Sequence, residues 1–109
     1  MNLKQRIDAF SKLGIFLKQF TTTKIEKVDN SEINTLFFDA FKMQIEIAVE
    51  FNGWFTKENV LKAFESWSVA LSEDNLQLWT SKYIFNEDLK PKNIAIVMAG
   101  NIPLVGFHD

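Results

Sequence analysis

The chain has 109 residues, a formal net charge of −2 and a pI of about 5.4, with 47% hydrophobic and 24% charged residues. That length holds one domain with a real core and not two, and the slightly acidic balance, with no Lys/Arg run interleaved with aromatics, argues against nucleic acid as a partner. Cys is absent and His108 is the only histidine, which excludes disulfides, thiolate metal sites and a cysteine nucleophile within these residues.

The chain starts with Lys4, Arg6 and Asp8 inside its first apolar pattern, so the opening residues are no signal peptide. Leu3, Ile7, Phe10, Leu13 or Gly14, Leu17 and Phe20 then recur at steps of three and four, the stripe of an amphipathic helix. Thr21, Thr22 and Thr23 close it, because three β-branched residues in a row disfavour further helix. No apolar run approaches the eighteen or so residues of a membrane span, and the expectation is a soluble, cytoplasmic protein.

Asp29, Asn30 and Ser31 all suit a helix N-cap. The segment 32–51 behind them is apolar on more than one face. Ile33, Leu36, Phe37, Ala40 and Phe41 lie on one side, with Phe38, Ile45 and Val49 on another. A helix apolar nearly all round asks to be covered on most sides. Asn52-Gly53 is a natural stop. Thr56 reads as the next cap, stapled by Phe55 against Val60, ahead of the stripe Val60, Phe64, Trp67, Leu71. Ser72 repeats the device with Leu71 and Leu76, and Glu73 and Asp74 suit the positive end of the helix dipole. Two helices therefore meet at a corner near Ser72. The eleven phenylalanines and three tryptophans read as packing rather than ligand stacking.

Pro91 breaks any helix. Ile94, Ala95, Ile96, Val97, Met98 and Ala99 follow without alternation and end at Gly100-Asn101, the pattern of a short parallel strand buried on both faces. Such a strand needs neighbours, and 24–28 and 83–85 are the only other strand-like stretches. The apolar residues after Asn101 likewise ask for burial, so the expectation is a piece of a longer protein. Lacking a sheet of its own, 94–99 is expected to self-associate with another copy.

The stretch Pro91-Lys92-Asn93-Ile94-Ala95-Ile96-Val97-Met98-Ala99-Gly100-Asn101-Ile102-Pro103-Leu104-Val105-Gly106-Phe107-His108-Asp109 resembles the bacterial acyl-CoA reductases. That family includes the long-chain fatty acyl reductases of bioluminescence and their non-luminous relatives, within the aldehyde dehydrogenase-like superfamily. The helical segment 54–71 resembles it less distinctively. The resemblance implies a helical N-terminal region over 1–90 and the start of a cofactor-binding α/β domain over 91–109. In fold class this is a mainly α, four-helix layer followed by the first strand of a Rossmann-type sheet.

The activity implied is reduction of an acyl thioester, such as acyl-CoA, to an aldehyde through a cysteine acyl-enzyme. NADP(H) or NAD(H) serves the intact protein, and the 109 residues alone are inactive. The family's turn carries Asn between two aromatics and before Pro. Here Gly100 and Ile102 replace the aromatics, while Asn101 and Pro103 keep their spacing. By the resemblance Asn101 donates its amide to the developing oxyanion; by turn chemistry alone it merely serves the turn. His108 beside Asp109 reads as a helix-start or packing residue, and Glu46 with Glu50 as a solvated face. No glycine-rich phosphate loop is present. A reading from another class is a self-contained helical interaction module using the apolar surface of 32–51.

Overall fold

The computed structural model describes residues 1–85, 90 and 92–105. Four helices lie among them: α1 (Leu3–Leu17), α2 (Glu32–Phe51), α3 (Lys57–Ala70) and α4 (Glu73–Thr80). Each begins at a polar residue whose side-chain oxygen accepts an otherwise orphaned backbone N–H. Asn2 takes Gln5 N–H at 2.9 Å, and the Gln5 side chain returns a bond to Asn2 N–H, completing a capping box. Ser31, Thr56 and Ser72 do the same for Asn34, Asn59 and Asn75. Leu71 is the C-cap of α3 and Ser72 the N-cap of α4, so the corner expected near Ser72 is made of these two residues alone.

α3 is the central element, packed against α1, α2 and α4. Its buried residues Val60, Leu61 and Phe64 share one cluster with Phe16 and Leu17 of α1, Phe20 just beyond it, and Phe38 and Ile45 of α2. The core is aromatic, as the composition implies. Phe20 is 0% exposed, and its ring centroid lies 4.9 Å from Phe38, 5.1 Å from Phe41 and 5.3 Å from Phe16. Such offset and edge-on pairs add about 0.5–1.5 kcal/mol each beyond area burial.

α1 and α4 meet α3 closely because Gly14 has no side chain. A Cβ at Gly14 would stand 2.9 Å from Leu71 Cβ and 3.1 Å from the Leu71 carbonyl oxygen. Gly14 is therefore the point at which the α3–α4 corner seats on α1.

Three expectations are corrected. The first stripe does not reach Phe20 as helix: α1 ends at Leu17, and Phe20 pairs with Ile25 in an isolated antiparallel bridge. The turn out of helix lets Gln19 point inward. Its amide is buried and paired both ways with Asn34, at 2.7 and 2.9 Å, and its oxygen also accepts Val28 N–H at 3.0 Å. A buried amide pair that satisfies itself avoids the cost of an unpaired polar group.

The second correction concerns α2. The core face takes Phe38 and Ile45 from one of the expected sides and Phe41 from the other, whereas Leu36 and Phe37 are exposed at 62% and 56% and Val49 at 43%. One stripe can face α3, and the polar residue Asn34 joins it because Gln19 supplies its partner.

The third concerns 94–99. These residues form neither helix nor strand and are exposed, Ile94 at 80% and Val97 at 99%. Among the described residues no strand lies alongside to complete their hydrogen bonds. A helical bundle cannot do so, because its backbone groups are already paired within the helices. The chain is therefore mainly helical, and a buried strand is not part of the described structure. Tyr83 and Phe85 are likewise exposed.

Candidate functional site

Of the residues that carry the family resemblance, those described meet the bundle at the turn 100–105. Asn52, the C-cap of α2, donates from Nδ2 to the Gly100 carbonyl at 2.6 Å, and its Oδ1 accepts Trp54 N–H at 3.1 Å. One side chain thus caps the 52–55 corner and holds the incoming turn. Pro103 is buried, and Leu104 packs against the core in a groove lined by Phe41, Ile45, Ala48, Phe55 and Phe64. Leu104 has φ of 59°, a left-handed value costly for a branched side chain. Burial of its side chain and the Val105 N–H to Ile102 O contact, at 3.5 Å, accompany that conformation.

Between these two anchors stands Asn101. It is exposed, and its side chain makes no hydrogen bond among the described residues. With Ile102 and Pro103 it borders a shallow hollow against α3, whose other walls are Asn59, Lys62, Ala63 and Ser66. Lys62 is the cation of the hollow and is engaged with Glu58 at 2.6 Å, one turn earlier. The Glu58 hydrogen bond, followed by its charge, raises the Lys62 pKa above the ordinary 10.5 and lowers that of Glu58 below 4.5. Chemically, the hollow offers the exposed Asn101 and an ion-paired lysine beside a backbone held from both ends. It offers no thiol, since the chain has no cysteine.

Of the other residues singled out in the sequence, Glu46 pairs with Lys57 at 2.5 Å, linking α2 to the start of α3, and Glu50 is exposed. Neither approaches a role in chemistry by its surroundings. His108 and Asp109 lie outside the described residues. No cluster of three or more metal-ligating side chains occurs among the described residues. No helix there is long and apolar enough to cross a membrane.

Asn52 is the residue that sequence reasoning missed. Its Asn-Gly context announces a helix stop, but nothing local says that its amide reaches a backbone 48 positions away. A second hollow, of about 300 Å³, is apolar and lies between α1, α3 and α4, lined by Phe10, Trp67, Leu71, Leu76 and Trp79. It has no connection to the 100–105 turn through shared lining residues.

The described residues form a small helical layer with the exposed Asn101 on a turn anchored through Gly100 and Leu104. Comparison with protein-family models, with curated proteins and with solved structures gave no match.

Proposed function

We propose that these residues form the N-terminal helical layer of an NAD(P)H-dependent acyl-CoA reductase, with Asn101 as an oxyanion donor. The observation that carries the reading is the state of Asn101. An asparagine serving only its turn commonly bonds its own backbone two residues on. Here the turn is held instead by Asn52, Pro103 and Leu104, and the Asn101 side chain makes no hydrogen bond among the described residues.

Attack of a thiolate on a thioester carbonyl moves negative charge onto oxygen. A fixed amide N–H about 3 Å from that oxygen lowers the barrier by roughly 3 kcal/mol. Anchoring the backbone on both sides of Asn101 keeps the donor from reorganising during the reaction, which is where the benefit of such a group arises. Residues 94–99 are read here as the first strand of the cofactor sheet, supported by their exposed apolar side chains and by the resemblance.

The nicotinamide, when bound in the intact protein, supplies the hydride that releases the aldehyde. The described residues do not fit that cofactor. They contain no glycine-rich phosphate loop, and the Lys62 charge beside Asn101 is already matched by Glu58. No step involving it is assigned to them.

The test is made in a protein joining these residues to a cysteine-bearing α/β half. Acyl-CoA-dependent oxidation of reduced nicotinamide is expected there and absent from the 109 residues alone. Asn101→Ala is expected to lower kcat about a hundredfold with little change in KM, the mark of a contact made in the transition state. An unchanged kcat returns Asn101 to a turn role, and turnover by the 109 residues alone overturns the mechanism.

A second reading is favoured by one observation, the exposed apolar face of α2. It makes the bundle a helical interaction module without catalytic activity.

A further inference from the structure

We infer that the exposed face of α2 is covered by residues 92–98 of a second copy of this chain, exchanged reciprocally about a two-fold axis. Leu36, Phe37, Met43 and Phe51 are 56–83% exposed. With Ile33 and Ala40 they recur at helical spacing, so they form one continuous stripe rather than scattered apolar positions.

The charges on α2 select the occupant. Glu32, Asp39, Glu46 and Glu50 follow one another at spacings of seven, seven and four, a single row beside Leu36 and Met43. Glu46 is neutralised by Lys57; Glu32, Asp39 and Glu50 have no ion-pair partner among the described residues. Lys42 is the only cation on the helix. Two α2 helices laid face to face would bring together the three acids of each that have no partner among the described residues, with Lys42 on the far side of the helix, and like charges across a helix pair disfavour that arrangement. The occupant must bring apolar side chains and positive charge together.

The chain itself contains such a segment. Lys90 and Lys92 precede Ile94, Ile96, Val97 and Met98, all of them exposed, and no acid occurs between residues 90 and 105. Neither lysine makes an ion pair among the described residues. In length the two surfaces correspond: the twenty residues of α2 rise about 30 Å, and the seven residues 92–98 reach at most about 25 Å when extended.

Within one molecule both surfaces remain exposed, and the segment is held at its far end by the Asn52 bond to Gly100. In a two-fold pair each copy lends its segment to the other, so both apolar surfaces are covered at once and the lysines meet the acids of α2 that have no ion-pair partner among the described residues. This inference does not rest on the reductase reading.

The test is sedimentation equilibrium of the 109-residue chain over a concentration series. A monomer–dimer equilibrium that weakens with added salt is expected. Phe37→Lys and, separately, Ile96→Lys are each expected to raise the dissociation constant on the order of a thousandfold, because the two-fold pair loses one buried large side chain, worth about thirtyfold, at each of its two equivalent sites. Ile96 lies outside the helices, so its variant reads the interface without disturbing the bundle.

Asp39→Lys with Glu50→Lys should weaken the dimer about fivefold, as should Lys90→Glu with Lys92→Glu, and all four together should restore it. A monomer at every concentration overturns the proposal and leaves the stripe to the chain's own segment or to another protein. A dimer indifferent to Ile96→Lys, or charge variants that do not rescue one another, overturns it equally. Because mass is measured without substrate, any of these results leaves the role of Asn101 untouched.

Discussion

Replacing Gly14 by alanine sets two effects of known size against each other. In the middle of a helix, Gly→Ala stabilises by about 1 kcal/mol, because glycine loses the most backbone freedom on folding. At position 14 the added methyl would meet Leu71 Cβ at 2.9 Å, Leu71 O at 3.1 Å and Leu71 C at 3.3 Å. Carbon pairs prefer about 3.5–4.0 Å. Two of those three atoms are backbone, and Leu71 is only 2% exposed, so no flexible side-chain end can move aside.

Leu71 is also the C-cap of α3 and the residue before the α4 cap, its N–H bonded to Trp67 O at 2.9 Å. Relieving the clash requires α1 to move away from the whole α3–α4 corner. Overpacking of this kind costs about 1–3 kcal/mol, which exceeds the helix gain. The expected net result is destabilisation of about 1 kcal/mol, read as a lower urea midpoint at unchanged m-value. Gly53→Ala is the matched control, since a Cβ there meets nothing within 4 Å; it is expected to be neutral. A Gly14→Ala variant more stable than the parent would refute the close-approach argument.

Three further outcomes follow from the packing and the charges. Phe20→Ala, at the fully buried ring among Phe16, Phe38 and Phe41, should cost about 3–5 kcal/mol in urea unfolding; a loss below about 1 kcal/mol would mean the ring is not the centre of the core. Asn34→Leu, which strips the buried Gln19 amide of its partner, should cost about 1–3 kcal/mol, and a Gln19→Leu/Asn34→Leu cycle should show non-additivity of at least about 0.5 kcal/mol.

The third concerns acid. Thr22 donates its N–H and hydroxyl to Glu65 at 2.6 and 2.8 Å, and that hydrogen bonding lowers the Glu65 pKa below the ordinary 4.5. A carboxyl lowered on folding contributes stability above its unfolded value and loses it as pH falls through the folded one. Acidification below about pH 4.5 should therefore destabilise the parent more steeply than Glu65→Gln in thermal melts; parallel pH profiles would remove Thr22–Glu65 from the account.

Much of the local structure was legible from residue order alone. Thr56 and Ser72 cap where their spacing to the apolar stripes placed them, since capping depends on a side chain and backbone three residues apart. The stripe Val60, Phe64 and Leu71 is buried for the same local reason. Asn101 could be singled out from its place between an apolar run and Pro103, but nothing in the sequence says that its turn is anchored at Gly100 and Leu104.

Only the tertiary structure chose which apolar residues of α2 enter the core. Periodicity shows that a face is apolar, not which neighbour will meet it, and the choice fell to the side on which Asn34 finds Gln19. The same holds for Gly14, an ordinary glycine in the stripe until Leu71 arrives, and for Asn52, whose partner lies at Gly100. It holds too for residues 94–99, whose six apolar side chains specify a need for burial. A strand's hydrogen bonds belong to its neighbours, and the helices of this bundle have none to lend.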